Sequence, residues 1–185
     1  MSTVALAAGV SGTGSVTLQA PNTNSNQIIT MPDSTGTLLT SGSPQSGGVI
    51  QVVNFTTTTQ FTTSSGTFSN TGFSASITPK FSTSKILILA RVPGGVQTSF
   101  GQAGFAIALY RGATPLYTPA VYENYNNVSS GGNQPRQVDS INYLDSPATT
   151  STVSYNLYAA SSNSSITAVI NETGPTSITL MEIAA

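Results

Sequence analysis

A 185-residue chain with no histidine and no cysteine can build neither a Ser-His-Asp nor a Cys-His nucleophile, nor a zinc site of the usual nitrogen and sulfur ligands. Only 6% of its residues are charged and its net charge is −1, against about 25% charged residues in an ordinary soluble domain; a surface so thin in charge stays in solution best when much of it is buried against copies of itself, so the chain reads as part of an assembly. The five cations, Lys80, Lys85, Arg91, Arg111 and Arg136, are scattered, which leaves no basic patch for nucleic acid.

From the amino end, the apolar stretch Val4 to Val10 has no preceding Lys or Arg and does not read as a secretory signal. Gly9, Gly12 and Gly14 lack the strand-to-helix context of a phosphate loop and read as turn residues. Short strand candidates follow at 15–19, 27–31 and 37–40, separated by Pro21-Asn22, Pro32-Asp33 and Gly36. Pieces of that size bury too little to stand alone. The stretch 40–48, TSGSPQSGG, has the composition of a linker. Residues 1–46 are therefore expected to form an anchoring or intertwining arm, and residues 47–185 a separate domain.

In the second region no window repeats its apolar residues every 3.6 positions, whereas a period of two recurs. Phe73, Ala75 and Ile77 alternate with Ser74, Ser76 and Thr78; Val153, Tyr155 and Leu157 with Ser154 and Asn156; Ile178 and Leu180 with Ser177 and Thr179. Such segments predict half-buried antiparallel strands. The run Ile86 to Ala90 is apolar on both faces and suits a central strand; with Lys85 and Arg91 at its ends it is far too short for a membrane span. Phe105, Ile107 and Leu109, opposed to Ala106 and Ala108, predict a packed inner face. The expected fold is all-β, an antiparallel jelly-roll-like sandwich.

Two polar stretches, Pro93 to Phe100 and Tyr122 to Arg136, read as long connections. The second mixes tyrosine, amide and glycine, a composition that adaptable recognition loops use. Tyr122, Tyr125, Asn126, Asn127, Gln134 and Arg136 are its candidate receptor-contact residues, whereas Tyr143 and Tyr155 read as core or interface. Glycan hydrolysis needs paired carboxylates, and of the six acids Asp33, Glu123, Asp139, Asp145, Glu172 and Glu182, Asp139 and Asp145 flank the strand candidate 140–144, where strand pairing could bring them near others; Asp145 lies in LDSP and reads as a turn cap. Glu182, in the apolar string LMEIA, is expected to pair with Arg or Lys across a strand or subunit, or to face an edge. No calcium-loop pattern occurs, so no metal or other cofactor is expected.

Several strings resemble those of bacteriophage fibre and virion structural proteins. GTGSVTLQAPNTNSNQIITMPDSTGTLL (12–39) is similar to the short segment in which an LPDATGTL-type turn joins two strands of such proteins. SASITPKFSTSKILILA (74–90), INYLDSPATTSTVSYNLYA (141–159) and SITLMEIA (177–184) resemble, in the expected order, a β-domain of phages of marine and freshwater bacteria, cyanophage fibres included. The resemblance implies a non-enzymatic, homotrimeric component of the particle surface that contacts other virion proteins through residues 1–46. The chain is shorter than the long tail fibres of that group, which leaves a short tail or head fibre, with host polysaccharide as a further partner, or a capsid decoration protein. A lectin-like carbohydrate-binding module is the alternative of another class.

Overall fold

Eleven strands and no helix make up the described part of the chain, which in this computed structural model comprises residues 45–98, 101–128 and 136–185, with 22, 24–26 and 28 nearer the amino end. All the strands lie in the compact unit Leu39–Ala185; Met1–Leu38 forms a separate unit. The expected amino-terminal strands at 15–19, 27–31 and 37–40, and residue Gln134, fall outside the described residues or are described only at single positions.

The strands are β1 (Val49–Thr57), β2 (Phe61–Thr63), β3 (Ser69–Ile77), β4 (Lys85–Gln97), β5 (Gly101–Arg111), β6 (Thr114–Tyr117), β7 (Asn124–Val128), β8 (Arg136–Asp145), β9 (Val153–Ser161), β10 (Thr167–Ile170) and β11 (Thr176–Ile183). Their pairing is nested: β1 with β11, β3 with β9, β4 with β8, and β5 with both β6 and β7, all antiparallel. Two further ladders, β11 with β4 and β9 with β5, complete the sheets. One sheet therefore runs β1-β11-β4-β8, with β10 and β2 extending it beside β4; the other runs β3-β9-β5 with β6 and β7 end to end on the outer side of β5. A long hairpin folded over itself, its partners falling alternately into two sheets, is the jelly-roll arrangement. The sandwich expected from the sequence is the one observed.

The period-two segments put their apolar residues inward as expected. Phe73, Ala75 and Ile77 of β3, Tyr155 and Leu157 of β9, and Ile178 and Leu180 of β11 are all buried, and they meet Ile86, Ile88, Phe105, Ile107 and Leu109 in one core. The apolar run Ile86 to Ala90 belongs to β4, which has a strand on each side. In β5 even Ala106 and Ala108, on the opposite face from the core row, are fully buried.

Pro93 to Gln97, expected to open a long connection, is instead the second half of β4, buried from Pro93 to Val96. A proline inside a central strand ordinarily removes a ladder hydrogen bond. Here β4 changes partner along one edge, leaving β11 after Arg91 and meeting β10 from Gly94, and the Pro93 carbonyl accepts from Asn171 N–H at 2.8 Å. The missing N–H falls in that gap and costs no ladder bond. Next to it, Gly94 is required by close approach, because a Cβ there would lie 2.8 Å from the Phe105 ring and 3.0 Å from Ile170 Cδ1. Gly94→Ala is accordingly expected to lower stability by about 1–3 kcal/mol, the usual cost of overpacking, as read from a urea midpoint.

Candidate functional site

The segment that the sequence presents as one recognition loop is divided by β7. A turn closed by Glu123 N–H donating to Ala120 O at 3.0 Å leads into the strand, and β7 then pairs with the first half of β5. That turn folds β7 back beside β6 and β8. Tyr117 at the end of β6 donates its hydroxyl to Glu123 Oε1. Tyr122 and Tyr125 meet edge to face with ring centroids 5.5 Å apart, and they are 55% and 38% exposed. Asn124 Nδ2 donates to Asp139 Oδ2 on β8 at 3.0 Å. A shallow depression of about 300 Å³ lies beside this rim, lined by Tyr117, Ser140, Ile141, Asn142 and Tyr143. A second of about 280 Å³ reaches from the same β8 residues across Leu89 and Arg91 to Ser177 and Thr179.

The electrostatics of the rim follow from these contacts. The Tyr117 phenol is pushed up to about 12, first by its hydrogen bond to Glu123, then by burial and the charges of Glu123 and Asp139. Asp139 is raised from its ordinary value, by burial first and by Glu123 second, against a lowering from the Asn124 amide. A raised acid favours its neutral form in the folded state, so at neutral pH its charge works against folding. Asp139→Asn is therefore expected to raise the melting midpoint at pH 7, with a gain that shrinks as the pH falls and the unaltered acid takes up its proton.

Of the sequence-predicted contact residues, Tyr122 and Tyr125 come together at the surface. Asn126 and Asn127 lie within β7, opposite Ala103 and Gln102. Arg136 begins β8 and forms an ion pair with Glu172 at 2.7 Å, so it is tied to the β10–β11 turn. Tyr117, Glu123 and Asn124 were not among the predicted residues. Tyr117 and Glu123 are six positions apart, which along an extended strand is ~20 Å, so it is the β6–β7 turn that brings them together.

Asp145 and Glu182 correct their sequence readings. Asp145, expected to cap a turn, is the buried end of β8: Arg111 Nη1 donates to its Oδ1 and Oδ2 at 3.0 and 2.8 Å, and the Tyr155 hydroxyl donates to Oδ2 at 2.8 Å. Asp139 and Asp145 are thus committed to separate partners. Glu182, expected to pair with a cation or face an edge, has no exposure at all. It accepts from Gln51 Nε2 and from the backbone N–H groups of Lys80 (2.7 Å) and Phe81 (3.3 Å). Both are structural groups of the core. Among the described residues no cluster of three or more His, Cys, Asp or Glu is placed to hold a metal ion, and no helix is long and apolar enough to cross a membrane.

No family model matches the chain, and no curated protein matches it. Among solved structures it is similar to capsid proteins of infectious bursal disease virus. The VP2 subviral particle is 19% identical over 73% of this chain, with a TM-score of 0.39; the Gt strain structure is 17% identical over 76%, with a TM-score of 0.42. The matched part spans 37% and 39% of those proteins' length. Likeness this loose says nothing about what the chain does.

Proposed function

We propose that this chain is a non-enzymatic structural protein of a phage particle, a short homotrimeric fibre of tail or head whose β-sandwich stands at the surface, with the arm of residues 1–46 meeting other virion proteins. The single observation that supports the reading most is the jelly-roll strand order carried by so little charge. That architecture recurs in viral capsid and lectin domains, and a sparsely charged, strand-rich surface suits burial in an assembly. Because a fold does not fix a function, the strings that resemble those of phage fibre proteins supply the rest of the case.

The exposed Tyr122–Tyr125 pair beside two shallow, hydroxyl- and amide-lined depressions favours host-surface polysaccharide as the ligand. Tyrosine faces cover the apolar side of a sugar ring while side-chain amides meet its hydroxyls, and three weak sites on one trimer add through multivalency. A capsid decoration protein of the same fold would bind expanded capsids and ignore host cells.

Gold-labelled antibody against the chain, applied to purified particles, is expected to mark discrete projections; particles free of label and of the polypeptide by mass spectrometry would end the reading. Tyr122→Ala combined with Tyr125→Ala is expected to reduce retention on host cells at least tenfold. As an exposed change it should leave the urea midpoint within the equivalent of about 0.5 kcal/mol.

A further inference from the structure

The two depressions beside the tyrosine rim share Ser140, Ile141 and Asn142, and the second leads onto the outer face of the β1-β11-β4-β8 sheet, where it is lined by Arg91. Side chains alternate along a strand. Ile178, Ala90 and Ile141 point into the core, so the registers set Ser177, Arg91 and Ser140 side by side in one outward row. The next outward row holds Thr179, Leu89 and Asn142. Directly paired residues have Cβ atoms ~5 Å apart, which puts hydroxyls on both sides of the guanidinium and an amide and an apolar step next to it.

The Arg91 charge is not neutralised by the fold. Arg91 is exposed, forms no ion pair among the described residues, and donates from Nη1 to the Pro175 carbonyl at 3.2 Å. That bond steadies the guanidinium and leaves most of its five N–H donors open. No carboxylate stands on this face among the described residues. Of the six acids, Glu182 is buried, Asp145 is held by Arg111 and Tyr155, Asp139 by Asn124 and Glu172 by Arg136; Glu123 sits with Tyr117 on the rim, and Asp33 lies outside the described residues. The polar neighbours are open as well. Asn54, further along the same face, is tied to Thr56 and Thr179, whereas among the described residues the side chains of Ser140, Asn142 and Ser177 make no hydrogen bond.

We propose that the depression at Arg91 takes the acidic group of an anionic polysaccharide, a carboxylate or a sulfate carried on one of its sugar rings. The inference rests on the polysaccharide reading above and names the class of polymer. A glycan laid from Tyr117 past Asn142 and Ser140 reaches Arg91 without leaving the two depressions. The planar guanidinium matches two oxygens of a carboxylate or sulfate at once, the free hydroxyls of Ser140 and Ser177 donate to the rest of the group, and the Asn142 amide meets ring hydroxyls. Leu89 faces the apolar side of a ring. A contact this open to water is weak and is screened by salt, and several copies in one assembly raise it through multivalency. Lys85, the other cation on the outward side of β4, stands six residues from Arg91, ~20 Å along the strand and beyond the ~10 Å Debye length at 0.1 M salt. The site therefore depends on Arg91 and not on the charge of the face as a whole.

The test applies the full chain to three immobilised probes, uncharged dextran, polygalacturonate with its carboxylates, and dextran sulfate, and to host cells. The unaltered protein is expected to be held at least tenfold more tightly by one of the acidic probes than by dextran, the better of the two identifying the acidic group. That preference should fall at least tenfold between about 50 and about 500 mM sodium chloride, and retention on host cells should fall with it. Arg91→Gln is expected to abolish the preference, Arg91→Lys to keep part of it, and Lys85→Gln to leave it within about twofold; all three are exposed changes that should leave the urea midpoint in place. Equal retention on the three probes, or an acidic preference that survives Arg91→Gln or is lost equally in Lys85→Gln, overturns the assignment. Host cells that hold the protein equally at both salt concentrations, and release it only in the Tyr122→Ala, Tyr125→Ala variant, overturn the anionic class and leave the polysaccharide reading standing. Protein held by no probe and by no host cell overturns both.

Discussion

Asp145→Ala is expected to lower the stability of the domain by about 3–4 kcal/mol and its melting midpoint by roughly 10–15 °C. The carboxylate satisfies two groups at once, and its removal strands both. Tyr155, with no exposure, keeps a hydroxyl in the core with no acceptor, an orphan worth about 1–3 kcal/mol. The Arg111 guanidinium loses both of its bonds to Asp145, but its side chain is 31% exposed, so water recovers part of its loss and keeps the total below the upper range for a fully buried pair. Asp145→Asn retains an oxygen for Tyr155 and should cost about half as much. Replacing all three together, Arg111→Leu, Asp145→Leu and Tyr155→Phe, should recover most of the loss, since buried ion pairs exchange for apolar groups of similar volume at little net cost. Urea unfolding at pH 7 gives each value. A single-site cost under 1 kcal/mol would mean that the buried network contributes nothing beyond its packing.

The strands that were legible in the sequence are those with one wet face. β3, β9 and β11 alternate cleanly because every second side chain meets either the core or solvent, and that regularity is a local property. β4 resisted the same reading in its second half because the permission for Pro93 comes from a changeover between β11 and β10, strands about 80 residues further along the chain. The same holds for β7. Its sequence NYNNV has no apolar period, and it is a strand because the first half of β5 offers it an edge that β6 leaves unoccupied.

The surface site divides in the same way. Tyr122 and Tyr125 are three positions apart, and their meeting needs only the turn and the first residues of β7. Arg136 belonged to the same polar stretch by composition, yet its partner Glu172 lies 36 residues away on the other side of the sandwich strands β9 and β10 in sequence. The acids show the limit most clearly. Asp145 sits 34 residues from Arg111 and Glu182 sits 131 residues from Gln51, so their local strings, LDSP and LMEIA, carried the misleading signals of a turn cap and an exposed charge.

Glu182→Ala is expected to cost about 3 kcal/mol at pH 7, and the acid dependence of the unaltered protein is expected to expose the reason. Burial alone would raise this carboxyl, but the donors from Gln51, Ser84, Lys80 and Phe81 together outweigh it and hold the group below its ordinary value of 4.5. Of these, Ser84 Oγ is itself buried and makes no hydrogen bond of ordinary geometry, so the Gln51 amide and the two backbone N–H groups carry the effect. In the interval between the lowered folded value and 4.5, the unfolded chain binds the proton that the folded chain refuses. Stability contributed by Glu182 is therefore complete above about 4.5 and is lost as the pH falls through the folded value. Glu182→Gln removes that acid-sensitive leg while keeping one oxygen for the Lys80 and Phe81 amides, at about 1–2 kcal/mol at pH 7. Urea midpoints measured from pH 7 to pH 2 should converge for the unaltered and Gln proteins at the acid end. A gap that stays constant with pH would show that the Glu182 carboxyl titrates alike in the folded and unfolded chain, so that its donors do not favour the charged form.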